Sequence, residues 1–168
     1  MSEYFFETGY VAGLVADTYH MFKGSQNFTR GFMQWAFVRG QEDHPCCHGP
    51  LNAIDLAPYV VATGQEDNAH AGLRQYLLNV QERQTEEDHF IPQVFQTAAD
   101  WISQNADNAP FFLWVDSFAP HEYWDPPTAF ADRYFADPAV KDFIVPSMCD
   151  ESEAGIRGTK ALYYGMVT

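Results

Sequence analysis

The sequence predicts an α/β sandwich in which a mostly parallel central sheet is flanked by helices. Two short and almost wholly apolar runs, Tyr10–Ala16 and Phe111–Phe118, are typical of strands that are covered on both faces. Two amphipathic helical patterns, Ala69–Gln84 and Pro92–Asn105, lie between those runs. Parallel sheets of this kind bind their ligands at the carboxyl ends of the strands.

The composition favours a packed core and disfavours two classes of partner. Of the 168 residues, 46% are hydrophobic and 16% aromatic, which is enough to fill a core. The net charge of −14 opposes binding to nucleic acid or to anionic lipid. No apolar run approaches the ~20 residues that span a bilayer, so no membrane span is expected in this segment. Localisation and oligomeric state stay open.

The first elements are predicted as the end of a helix followed by a buried strand. Glu3–Thr8 has a helical pattern, and Gly9 follows at a position where helices often end. Tyr10–Ala16 is the first strand. Asp17 and His20 then lie at or just beyond its carboxyl end.

The next segment has no clear periodicity. Met21–Pro50 is predicted as a long excursion packed by aromatic residues, and such loops are often functional. No firm element is predicted in Leu51–Asn68, where Pro58 and Gly64 break the pattern.

Two helices follow, and each has one apolar face. In Ala69–Gln84 the residues at helical spacing are Leu73, Tyr76, Leu77 and Val80. Pro92 suits the first turn of the second helix, Pro92–Asn105. Its predicted sheet-facing stripe consists of Val94, Phe95, Ala98, Trp101 and Ile102.

The last third of the chain is predicted as a central strand followed by two helices. Phe111–Phe118 is the strongest strand pattern, and the segment Ala119-Pro120-His121 terminates it. The predicted helices are Thr128–Phe135 and Glu151–Thr168. Because the first and last helical patterns are uncapped, we expect residues 1–168 to be part of one domain that is truncated at both ends.

Two histidines and one aspartate are the candidate site residues at the strand ends. His121 follows the rigid Pro120, and it either donates to a bound oxyanion or is hydrogen-bonded locally. The same two options hold for His20. Asp17 repels an anion unless a cation or proton is near, so it is a metal-side or water-positioning group or a polar strand terminus.

Other candidate residues carry weaker signals. Arg30 and Arg39 stand out in so acidic a chain, because a guanidinium can hold sulfate or carboxylate with two hydrogen bonds, although pairing with acids is its commoner use. The crowded segment His44–His48 lacks the ligand spacing of a zinc site. No Gly-x-Ser-x-Gly elbow or Walker-type loop is present.

Two segments resemble a known enzyme family. Residues 9–20, GYVAGLVADTYH, resemble the second sulfatase signature, Gly-Tyr-x-Thr-x-x-x-Gly-Lys-x-Trp-His, with His20 at the histidine. Residues 110–121, PFFLWVDSFAPH, resemble that family's Pro-Phe-Phe-Leu strand that ends in Pro-His. Weaker similarities occur at Asn27–Phe32 and Ala161–Thr168. The chain is therefore similar to an internal part of a sulfatase catalytic domain.

The resemblance implies an alkaline-phosphatase-like sandwich that hydrolyses a sulfate ester of a small molecule or carbohydrate. In such enzymes a Cys or Ser of a Cys/Ser-x-Pro-x-Arg motif becomes formylglycine, and a divalent metal, usually calcium, holds the sulfate. No cysteine here begins that motif, so the nucleophile and the metal ligands are expected outside this chain. The resemblance also implies that His20 lies beside the nucleophile and that His121 donates to a sulfate oxygen.

One departure from the family leaves alternatives open. Asp17 stands where the common pattern has a sulfate-binding lysine, so either Arg30 or Lys23 supplies the positive charge or the substrate differs from simple arylsulfates. Asp17 and Arg30 are accordingly included among the expected substrate-binding residues. A phosphodiesterase or phosphonate monoester hydrolase of the same superfamily is one alternative, and a non-catalytic binding module that keeps the fold is another.

Overall fold

The computed structural model describes residues 1–61 and 68–168 and has a mixed α/β architecture, which confirms the predicted class. The strands are β1 (Val11–Ala16), β2 (Gln34–Phe37) and β3 (Phe111–Asp116). The helices are α1 (Ser2–Glu7), α2 (Asn68–Val80), α3 (Phe90–Gln104), α4 (Thr128–Ala131) and α5 (Glu153–Met166). Short 3₁₀ turns span Tyr19–Phe22, Leu51–Ala53, Glu86–Asp88 and Pro146–Met148. Gly64, predicted to be a break, lies outside the described residues.

The chain divides into two compact units. The first consists of Met1–Gln41 and Glu87–Phe118, and the second of Glu42–Glu86 and Ala119–Thr168. The first unit contains a parallel sheet in the order β2–β1–β3. At the end of β1, Ala16 pairs with Phe37 of β2 and with Asp116 of β3. The three strands therefore end at one edge of the sheet, which we call the carboxyl edge.

The core of the first unit lies between this sheet and α3. Val15 and Val38 pack there against Val94 and Ala98 of the helix. Gly13 allows a closer contact, because a Cβ atom at this position would lie 2.6 Å from the Trp101 ring. The apolar stripe of α3 thus fixes the helix across the strands that lead to the carboxyl edge.

The prediction for α3 is wrong for two residues of the stripe. Val94, Ala98 and Trp101 are buried as expected, whereas Phe95 is 59% and Ile102 is 44% exposed. At 3.6 residues per turn, these two residues lie about 80–100° around the helix from Val94, at the margin of the buried face. Spacing alone made the face appear wider than it is.

Two predictions for the strands are also wrong. The excursion Met21–Pro50 contains β2, a four-residue strand whose first two residues are exposed and which therefore gives little apolar signal. In the described sheet, β1 is the central strand and β3 lies at an edge, with every residue half-buried. The apolar character of β3 reflects aromatic packing, since Phe112 stacks on Phe5 with ring centroids 4.2 Å apart.

The second unit is built mainly from α2, α4 and α5. Leu73 and Tyr76 are the buried positions of α2 that the spacing predicts, but Leu78 is buried in place of Leu77 and Val80. The last helix begins at a cap, because Ser152 Oγ accepts a hydrogen bond from Gly155 N–H at 2.9 Å. No helix in the described parts of the chain is both long and apolar enough to cross a bilayer.

Candidate functional site at the carboxyl edge

Polar side chains join the ends of β1 and β3. Asp17 follows β1 directly, and Asp116 is the last residue of β3. Thr18 Oγ1 donates to Asp116 Oδ1 at 2.6 Å, and Ser117 Oγ donates to Asp17 Oδ2 at 3.0 Å. A hydroxyl group that follows each strand therefore donates a hydrogen bond to a carboxylate at the end of the other strand. These bonds hold the two strand ends together at the edge where parallel sheets bind ligands.

Asp17 is the most buried group of this edge. Its side chain is fully buried, and Oδ1 accepts a hydrogen bond from Phe118 N–H at 2.6 Å. Burial raises the pKa of Asp17 from 3.8 to about 6, although the hydrogen bonds from Phe118 and Ser117 oppose the shift. Both oxygens thus face protein donors. This geometry matches the polar strand terminus that was one of the options for Asp17.

His20 lies in the 3₁₀ turn that follows Asp17 and is exposed. The Lys23 ammonium lies 3.0 Å from His20 Nδ1 and 4.4 Å from the centroid of the Tyr19 ring. Because an ammonium group only donates, we assign Nδ1 as the acceptor and the ring proton to Nε2. His20 can therefore donate a hydrogen bond from Nε2 while the ring is neutral.

His121 belongs to the second unit and has the opposite arrangement. Its Nδ1 lies 2.9 Å from the Glu122 carbonyl oxygen and 3.2 Å from Glu122 Oε2, and its side chain is 52% exposed. Since both neighbours are acceptors, Nδ1 carries a proton. Nε2 is then an acceptor in the neutral ring and a donor in the protonated ring. His20 can thus donate through Nε2 when its ring is neutral, whereas His121 can do so only when its ring is protonated.

Arg30 is not at the carboxyl edge. It precedes β2 in the chain, and its Nε forms an ion pair with Glu3 Oε1 of α1 at 2.7 Å. Arg30 also lines a cavity of ≈ 390 Å³ together with Leu14 and Trp114. The structure therefore brings Asp17 and His20 together at the strand end and leaves Arg30 beside α1.

The segment that carries His121 is held by a partly buried network within the second unit. The Tyr76 hydroxyl donates to Asp125 Oδ2 at 3.0 Å, and Arg83 Nη1 donates to the same oxygen at 3.0 Å. The rings of Tyr76 and Tyr123 stack with centroids 4.3 Å apart. Burial, with a smaller contribution from Asp125, raises the pKa of Tyr76 well above its usual value. Helix α2 thus contacts Tyr123 and Asp125, which lie two and four positions beyond His121.

Sequence reasoning missed several residues of the carboxyl edge. Three of them, Thr18, Asp116 and Ser117, lie at the ends of strands that the sequence does predict. They could have been found from the rule that parallel sheets bind ligands at the carboxyl ends of their strands. Arg39, a candidate of the sequence analysis, is exposed two residues beyond β2, a strand that was not predicted. A four-residue strand with exposed residues offers almost no periodic signal.

The described residues contain no set of metal ligands. Among residues 1–61 and 68–168, no group of three or more His, Cys, Asp or Glu side chains is arranged to hold a metal ion. The ligands of the calcium that the resemblance implies stay a prediction about residues outside this chain. Cys46, Cys47 and Cys149 are not joined in disulfide bonds within the described part of the chain.

The chain was compared with protein-family models, with curated proteins and with solved structures, and none of the three comparisons gave a match.

Proposed function

We propose that this chain forms part of the active-site wall of an alkaline-phosphatase-like hydrolase that cleaves a sulfate ester of a small molecule or carbohydrate. The formylglycine nucleophile and the divalent metal are contributed by residues outside the chain. One observation supports this proposal above others. The two segments that resemble the sulfatase motifs contain β1 and β3, which are parallel neighbours with Ala16 opposite Asp116.

The histidines have complementary roles in this proposal. Transfer of a sulfuryl group develops negative charge on oxygen, and positioned N–H donors stabilise that charge. In a neutral His20 ring, Nδ1 accepts a hydrogen bond from Lys23, so Nε2 carries the ring proton and donates. His121 donates from Nε2 only when protonated, and as a neutral ring it accepts a proton there.

The divalent metal would hold the sulfate group when bound. The residues of this chain then orient the ester and move protons. The hydrogen bonds of Asp17 to Ser117 and Phe118 keep the two strand ends in fixed positions, and so limit how far the His20 turn can move. Preorganisation of this kind reduces the reorganisation needed in the transition state.

A phosphodiesterase or phosphonate monoester hydrolase is the second candidate, and Asp17 favours it. A buried carboxylate occupies the position of the sulfate-binding lysine, so the anion site differs in charge from that of simple arylsulfatases. The two candidates share the proposed site and differ in the ester they hydrolyse.

The test is a comparison of ester hydrolysis by the full-length gene product, produced with a formylglycine-generating enzyme. Sulfate release from an aryl sulfate and phosphate release from an aryl phosphodiester are measured side by side. We expect faster sulfate release, and a loss of about 10²-fold or more in turnover for His20→Ala and for His121→Ala. The exposed His48, which lies in neither motif-like segment, provides the matched control His48→Ala.

Each other result contradicts part of the proposal. Near-normal turnover in both His20→Ala and His121→Ala overturns the site assignment. Preferred hydrolysis of the phosphodiester selects the second candidate. Hydrolysis of neither ester, together with a gene that encodes no Cys/Ser-x-Pro-x-Arg motif, selects the non-catalytic binding module.

A further inference from the structure

A cavity of ≈ 570 Å³ lies within the second unit. Its lining comes from α4, from α5, from the segments that precede and follow α4, and from Tyr59. Part of the lining is apolar, since Ala131, Ile144 and Ala161 belong to it and are 6%, 1% and 2% exposed. The volume and the apolar lining are those of a site for a small molecule rather than for a single ion.

Four aspartates line the same cavity. They are Asp125, Asp132, Asp137 and Asp142. Burial raises the pKa of Asp142, and the charges of Asp125 and Asp132 add to this effect, so these carboxylates lie near one another. Arg83 pairs with Asp125 at 3.0 Å and balances one of the charges. The remaining carboxylates repel one another across the cavity.

Two of these carboxylates are not balanced by the protein itself. Lys141 also lines the cavity, but its ammonium donates to the Val60 carbonyl oxygen at 2.7 Å. Asp132 and Asp142 are exposed, and no ion pair of the described residues involves either of them. A ligand that enters the cavity therefore meets two carboxylates that can accept hydrogen bonds from a cationic group.

An aromatic ring completes the lining. Tyr59 is half-buried, and burial, followed by the charges of Asp125 and Asp142, raises its pKa, so its side chain lies near these carboxylates. The faces of aromatic rings attract ammonium groups. Among residues 1–61 and 68–168, no three side chains are arranged to ligate a bare metal ion. Carboxylates, an aromatic ring and apolar walls together suit an organic cation.

We propose that the cavity binds a small organic amine, with its ammonium group between Asp132 and Asp142 and its apolar part against Ala131 and Ala161. The positive charge offsets the repulsion between the carboxylates, and the apolar part buries surface that a hydrated metal ion leaves open. All of the lining residues belong to the second unit, so this inference does not depend on the hydrolase activity proposed above.

The experiment measures binding of cadaverine, a five-carbon diamine, to the full chain by calorimetry. About 150 mM KCl screens nonspecific attraction of the diamine to the acidic surface. We expect saturable binding in equimolar amounts, and no binding of the five-carbon diol, which has the same length but no charge. NMR locates the site, because the diamine should shift the methyl signals of Ala131 and Ala161 but not those of Val94 in the core of the first unit.

Two substitutions test the carboxylates. For Asp142→Asn and for Asp132→Asn we expect the dissociation constant of the diamine to increase about tenfold, as for the loss of a charged hydrogen bond. Asp107→Asn is the matched control, since it removes the same charge from an exposed turn of the first unit. Its dissociation constant should stay within about twofold of wild type. Far-ultraviolet circular dichroism checks folding, and Asp132→Asn decides the matter if Asp142→Asn does not fold.

Several outcomes overturn the inference. They are the absence of saturable binding to the wild-type chain, equal binding of the diol, an equal loss of affinity in Asp107→Asn, and alanine methyl signals that do not respond. Magnesium chloride, titrated in the same way, tests the other class of cation. Tighter binding of magnesium than of the diamine, with the same dependence on Asp132 and Asp142, would mean that the carboxylates form a metal site and that the amine is not the ligand.

Discussion

Asp17 illustrates how one residue can be both polar and structural at a strand end. It is fully buried, yet it accepts hydrogen bonds from Ser117 and from the Phe118 backbone, which belong to the end of the neighbouring strand. These bonds stabilise the charged form, but burial has the larger effect and raises the pKa to about 6. The residue that departs most from the sulfatase-like pattern is therefore also one whose ionisation is linked to folding.

The pH dependence of stability tests this linkage. Between pH 3.8 and about 6 the folded state keeps a proton on Asp17 that the unfolded state has released, so stability decreases as pH rises through this range. A shift of about two pKa units corresponds to about 3 kcal/mol. For Asp17→Asn, which cannot ionise, we expect the free energy of unfolding relative to wild type to rise by up to about 3 kcal/mol from pH 4 to pH 7.

Urea denaturation of both proteins at several pH values measures this difference. The control is Asp107→Asn, since Asp107 is an exposed aspartate in the turn after α3. We expect the Asp107 variant to follow the wild-type curve at every pH. Parallel curves for wild type and Asp17→Asn would show that burial of Asp17 does not control its ionisation.

At the scale of elements, the main strands and helices could be predicted because each is long enough to show its periodicity. The observed bounds of β1, α2, α3, β3 and α5 all lie within four residues of the predicted ones. β2 could not be predicted, because only its pairing with β1 identifies it as a strand. His20 and His121, in contrast, followed from strands that the sequence does show.

The contact between α2 and the segment after β3 is an element-level feature that no sequence pattern indicates. Tyr76 is spaced as a core residue of α2, but its hydroxyl reaches Asp125, which is 49 residues away in the chain. Arg83 joins the same carboxylate from the residues just after α2, with its side chain 13% exposed. Long-range polar contacts of this kind depend on the tertiary fold rather than on local spacing.

Substitution of Tyr76 by Phe tests how much this contact contributes. The ring and its stacking on Tyr123 remain, while the bond to Asp125 is lost, so we expect Tyr76→Phe to reduce the free energy of unfolding by about 1–2 kcal/mol. Tyr134→Phe is the control, because the Tyr134 hydroxyl meets Thr168 at an exposed site and should contribute less than about 0.5 kcal/mol. Equal losses in urea denaturation would mean that the buried bond adds nothing.

For the whole molecule, composition indicated a packed core correctly but not the arrangement of the chain in space. The apolar and aromatic content predicted a packed core, and in the first unit such a core lies where α3 covers the sheet. The division into two compact units was not apparent from composition, because each unit combines two segments that are distant in sequence. Only contacts between such segments reveal a division of this kind.

The net charge of −14 gives a prediction for the whole chain, because like charges repel more strongly in the compact state than in the unfolded one. Salt screens this repulsion, so raising KCl from about 10 mM to about 300 mM at neutral pH should raise the urea midpoint of unfolding. The same change near pH 4.5, the sequence pI, should have little effect and is the control. Among the described residues, the ion pairs Arg30–Glu3 and His121–Glu122 are exposed and contribute little to stability, whereas the pair Arg83–Asp125 is more buried. A midpoint that falls with salt at neutral pH would mean that attractive pairs, rather than net repulsion, dominate the electrostatic part of stability.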